Sequence, residues 1–145
     1  MAGKGKFSRI GKTSPKPMFG PRVLMAVGFD EKHKTGLLDL LERLGFRNLP
    51  VVQPSAADQD RRVADILERS GSAGAEQTTA DLPLTVLMSG MSEKELHRLI
   101  SAWKDSPLPR PLWATLTPTS AQWPLSRLLL ELVAERKAME VRRNR

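Results

Sequence analysis

Two short turns hold the residues best placed to do chemistry: Gly28-Phe29-Asp30 and Ser89-Gly90-Met91-Ser92. Each follows an apolar run and precedes a helical pattern. A glycine there lets the chain turn tightly, and the helix start behind it presents amides without an intrahelical partner. Gly28, Asp30, Gly90 and Ser92 could therefore hold a small anion. The plainer alternative is that each glycine only permits a turn, while Asp30 and Ser92 cap helices. Neither a G-x-G-x-x-G fingerprint nor a P-loop lysine accompanies them. A second polar run leads from Thr115 through Thr117, Thr119 and Ser120 to Trp123. Its hydroxyls could bind a small ligand against the indole, or simply cap turns while Trp123 packs on the core.

The remaining reactive types are sparse. His33 and His97 are the only imidazoles, and neither has a companion at metal-ligand spacing. No serine sits in a nucleophile elbow. With no cysteine there is no thiolate site, thiol nucleophile or disulfide, as suits a reducing cytoplasm. The expectation is a non-enzymatic chain without a cofactor or metal.

Charge offers a third candidate. The net charge is +7, but residues 1–22 contribute +6 and residues 136–145 contribute +4, which leaves −3 between them. The chain reads as a mildly acidic body with basic ends. Lys4, Lys6, Arg9, Lys12 and Lys16 at one end, with Arg142, Arg143 and Arg145 at the other, could neutralise the phosphates of RNA. The alternative is a pair of solubilising tails.

These candidates need elements to position them. Residues 1–20 have no apolar period and read as a disordered basic arm. Val23 to Val27 is a continuous apolar run, expected of a strand buried on both faces. Asp30 then caps a helix to about Leu44, striped by Leu37, Leu40, Leu41 and Leu44 and ended by Gly45. Leu49 to Val52 reads as a weaker strand, and Ala56 to Glu68 as a helix. A flexible linker, 69–81, separates this half (21–68) from a second (82–139). There, Leu84 to Met88 is a strand. Ser92 and Glu95 form a capping box before Leu96, Leu99, Ile100 and Trp103, with Trp103 in the core. Pro111 to Thr117 is a strand, and Pro124 opens a helix to about Lys137. Residues 140–145 form the basic tail. No apolar run reaches the length of a membrane span.

The halves can be laid over each other, with Gly28 to Lys32 on Gly90 to Lys94 and Pro54-Ser55-Ala56 on Pro118-Thr119-Ser120, but only with gaps. Two strand–helix–strand–helix units in series predict a single α/β domain: a four-stranded, mostly parallel sheet of order 2-1-3-4, with helices on both faces and flavodoxin-like winding. Parallel strands 1 and 3 would bring the two glycine turns together at one end of the sheet.

The run from Pro111 to Leu125, with Leu128, Leu129, Glu131, Leu132 and Glu135 beyond it, resembles the end of a bacterial family, the domain of unknown function DUF3783. Val86 to Gly90 also looks like part of that pattern. The chain departs at Ser120, where the family has Asn, and at Pro124, where Thr is usual. The resemblance covers the C-terminal half and implies a small bacterial domain without an assigned activity. The leading expectation is a small-ligand- or protein-binding accessory module, its partner an unknown protein or a small anion. The alternative is RNA association through the basic ends.

Overall fold

The computed structural model describes residues 16–46, 48–68 and 82–143. The linker 69–81 lies outside the described residues, as do Lys4, Lys6, Arg9, Lys12 and Arg145. In chain order the elements are β1 (Val23–Val27), α1 (Glu31–Arg43), β2 (Val51–Val52), a 3₁₀ turn (Ala56–Asp58) and α2 (Val63–Leu67). The second half supplies β3 (Thr85–Ser89), α3 (Glu93–Lys104), β4 (Leu112–Thr115), a 3₁₀ turn (Ser120–Gln122) and α4 (Leu125–Arg143). Residues 140–143, expected in the tail, are the last turn of α4.

Local chemistry sets the helix boundaries. Asp30 accepts a hydrogen bond from the His33 amide at 2.8 Å and caps α1. Ser92 and Glu95 form the expected box: the Glu95 amide donates to Ser92 Oγ at 3.1 Å, and the Ser92 amide donates to Glu95 Oε1 at 3.1 Å. Two orphan donors are satisfied at one helix start. The helix expected over Ala56 to Glu68 is instead split. The Ser55 amide turns back onto Asp58 Oδ2 at 2.8 Å, and the Val63 amide donates to the carbonyl of Trp123 in the other half.

The sheet order is 2-1-3-4. β1 pairs parallel with β2, and β3 parallel with β4, so most of the pairing is parallel, as expected. The central pair differs. β1 and β3 run antiparallel, Val23 opposite Ser89 and Val27 opposite Thr85. A parallel continuation would need α2 to carry the chain back along the sheet. Its five residues advance about 8 Å, half the roughly 17 Å length of a five-residue strand.

The reversal makes the halves two-fold related. Met25 faces Leu87 at the middle of the central pair, and Arg62 bridges Pro124 on one face of the sheet. Both pairs are 62 positions apart. The same offset carries the pairing of Leu24 with Val51 onto that of Val86 with Trp113. It also carries the Val63 amide to Trp123 carbonyl bond onto the Leu125 amide to Arg61 carbonyl bond. The gaps needed to align the sequences disappear: Ser55 and Asp58 correspond to Thr117 and Ser120, which make the same short-range bonds.

Because the axis is perpendicular to the sheet, equivalent helices share a face. Leu24, Ala26, Val86 and Met88 point toward α1 and α3, packing with Phe29, Leu37, Leu99 and Trp103. Val23, Met25, Val27 and Leu87 point toward α2 and α4, packing with Ile66, Leu67, Leu125 and Leu128. Every residue of β1 and β3 is buried, which explains the apolar runs Val23–Val27 and Val86-Leu87-Met88; the hydroxyls of Thr85 and Ser89 donate to the Pro83 and Pro21 carbonyls.

Each central strand is crossed at its C-terminal end by the segment leading into the other. Gly28 lies under Leu82 and Pro83, and Gly90 lies under Gly20 and Pro21. A β-carbon on Gly28 would fall 2.6 Å from the Leu82 carbonyl oxygen, and one on Gly90 would fall 2.6 Å from those of Gly20 and Pro21. Their φ angles are +79° and +67°. Gly28→Ala and Gly90→Ala should each cost about 3 kcal/mol in urea unfolding, well above a surface substitution.

Candidate functional site

The antiparallel centre places the expected ligand residues apart. Gly28 and Asp30 lie at one end of the sheet, Gly90 and Ser92 at the other. The anion site that would unite both turns does not form. At the Gly90 end, the Gly90 amide donates to the Phe19 carbonyl at 3.2 Å, and Met91 accepts from the Met18 amide at 2.9 Å. Ser89 Oγ donates to the Pro21 carbonyl at 2.6 Å. Within the segment expected as a free arm, residues 17–20 thus lie along this turn, and Pro17 bridges Ser92.

The strap is fixed by a bidentate ion pair. Arg22 Nη1 and Nη2 donate to Glu95 Oε1 and Oε2, each at 2.8 Å. That hydrogen bonding holds the Glu95 carboxyl below its usual range and raises Arg22. A shallow depression of about 470 Å³ remains between strap and turn, but its two charges are this pair.

At the Asp30 end the polar groups also close on themselves. His33 Nδ1 lies 3.0 Å from Asp30 Oδ1, and Gln53 Nε2 donates to the Phe29 carbonyl at 2.9 Å. At the Gly90 end, Thr117 Oγ1 and Ser120 Oγ lie 3.0 Å apart, and each accepts from the other's backbone amide. Thr119 is exposed and makes no such bond. Trp123 packs against the α2/α4 core, with the Arg127 guanidinium 4.5 Å from its ring centre. Of the basic residues, Lys16, Arg142 and Arg143 are among those described.

The open feature lies along β4, an edge strand. Leu112 and Leu116 donate to Leu84 and Met88 carbonyls at 2.8 and 3.0 Å. Alternation then turns the backbone groups of Trp113 and Thr115 outward. On the α3 side, a groove of about 540 Å³ is walled by Ile100, Trp103, Leu108, Pro111 and Trp113, with Lys104 and Arg110 at its rim. Trp103 is buried and held by its Nε1 donating to the Pro109 carbonyl at 2.9 Å. It stands edge-on to Phe29 and Trp113, at 6.1 and 5.1 Å. This aromatic row runs from the core to half-buried Trp113.

On the α4 side a second groove, about 420 Å³, lies between β4 and the overhanging end of α4, with Leu132, Met139, Arg136 and Arg143 along it. Arg136 Nη2 donates to the Pro111 carbonyl at 3.0 Å, fixing the helix to the start of the strand. Of these residues, sequence reasoning gave a binding role to Arg143 alone, toward RNA. The available signal was Lys104, Arg110 and Pro111 flanking a strand that the order 2-1-3-4 leaves at the edge.

Fold and site define an open α/β sheet domain built of two similar halves, with accessible grooves along an edge strand. Residues 85–139 match the family model of the domain of unknown function DUF3783. The match starts with β3 and ends within α4, so it spans one two-fold-related half. No curated protein and no solved structure matches the chain.

The Arg22–Glu95 pair gives a pH test with a fixed sign. The folded pKa of Glu95 is depressed, so its contribution is present above the unfolded carboxyl value of about 4.3 and is lost as pH falls through the folded value. Glu95→Gln should lower stability by about 1 kcal/mol at neutral pH. The gap between variant and parent in urea melts should close on acidification below about pH 4.

Proposed function

We propose that this chain is a non-enzymatic binding module, and that its site is the α3-side groove along β4 rather than either glycine turn. One observation supports the reading above others: an open groove walled by Ile100, Trp103, Leu108 and Trp113 carries Lys104 and Arg110 at its rim. Such a surface holds an apolar group that bears negative charge. Carbon walls with cations beside them are suited to retaining a partner. The glycine turns are less suited: at Gly90 the Phe19 carbonyl and Glu95 already take amides that an anion would need, and at the Gly28 turn Asp30 itself takes the His33 amide. A bacterial cytoplasm is the setting of the same reading, supported by the family resemblance and the absence of cysteine. No helix among the described residues is long and apolar enough to cross a membrane.

Anilinonaphthalene sulfonate, an aromatic anion, is a direct probe. It should bind the folded chain saturably, and Lys104→Glu with Arg110→Glu should weaken it about ten-fold or more. Unchanged binding by a folded double variant would place the site elsewhere.

A second reading, RNA association, has one specific support. Arg143 from the tail lines the α4-side groove beside Arg110 and Arg136, so part of the basic end is gathered at the β4 edge. Fluorescence anisotropy with oligouridylate should then fall steeply with added salt. Binding independent of salt, or none at low salt, would dismiss it.

A further inference from the structure

We infer that the β4 edge recruits an extended acidic segment of a partner protein, which adds to the sheet as a fifth strand. The inference rests on the groove reading above and specifies the occupant. Exposed edge strands recruit new strands through the row of amides and carbonyls they leave unpaired. Here the outward groups belong to Trp113 and Thr115, and Thr115 is exposed. An added strand presents its side chains alternately to the two faces. It would therefore send one set toward the apolar α3-side groove and the other toward the α4 side. A segment alternating apolar and acidic residues fits both.

Charge selects the partner. Lys104, Arg110, Arg136 and Arg143 line the two grooves against Glu135 and Glu140, and the α3-side groove has no carboxylate. A second copy of this chain, paired antiparallel β4 to β4, would place two cationic α3-side grooves on one face of the sheet. An acidic strand neutralises them. The short edge and Pro111 limit the outward amides to those of Trp113 and Thr115, so charge and groove contacts must supplement the ladder.

The test uses the full chain and acetyl-Glu-Val-Glu-Val-Glu-Val-Glu-amide, followed by tryptophan fluorescence and by amide NMR at Trp113 and Thr115. Two analogues carry N-methyl groups, one on every valine and the other on every glutamate. Strand addition requires one to lose binding and the other to keep it, since only one set of amides faces β4. Thr115→Pro, which removes an outward donor at an exposed position, should weaken the peptide about ten-fold without lowering the melting temperature. Arg110→Glu should do the same. If both analogues bind equally and Arg110→Glu still weakens them, strand addition is overturned while the groove reading stands. No binding of the parent peptide at about 1 mM overturns the inference, even if the naphthalene probe binds. Displacement of the peptide by oligouridylate at lower concentration overturns it in favour of RNA. A concentration-dependent dimer abolished by Thr115→Pro overturns it in favour of a second copy.

Discussion

The antiparallel pairing of β1 with β3 is the constraint on which the rest of the structure depends. Met25 and Leu87 face each other at its centre, and every other strand, helix and groove takes its position from that register. Both strands are buried on both faces, so the pair is the meeting line of two cores rather than the edge of one. A one-residue slip would exchange the side chains facing α1 and α3 with those facing α2 and α4. The bridge between Arg62 and Pro124 and the reciprocal bonds of Val63 and Leu125 reinforce the register from one face.

Two-fold relation does not make the halves alike in use. Gly28 and Gly90, Asp30 and Ser92, and Ser55 and Thr117 are equivalent positions doing equivalent structural work, and each central strand end is closed by the lead-in to the other strand. The edges differ. β2 is two residues long, and α2 ends after five. β4 has four residues, and α4 runs for nineteen and overhangs the edge. Both grooves along β4 therefore belong to the half that contains the family match.

Much of the fold was legible in local chemistry. The capping box of Ser92 and Glu95, the cap at Asp30, the left-handed Gly45 and the apolar runs of β1 and β3 depend on neighbours a few residues away. Their signals survive in the sequence because the interactions are short in range. The helix expected over Ala56 to Glu68 divides before Val63, whose amide bonds to the Trp123 carbonyl 60 positions away. The glycine turns were recognised as turns but given a shared ligand site that strand direction forbids.

By itself the sequence determined the strands and three of the four α-helices, the strand order in the sheet, the covered faces, and a family resemblance confined to the second half. Those follow from periodicity, capping and the short reach of a crossover. The tertiary structure alone decided the direction of β3 against β1, and with it the fate of every candidate site. Strand direction leaves no local trace, since Val86-Leu87-Met88 has the same apolar pattern read either way. Only its long-range register separates Gly28 from Gly90, lays residues 17–20 over the second turn, and leaves Trp113, Lys104 and Arg110 around an open edge.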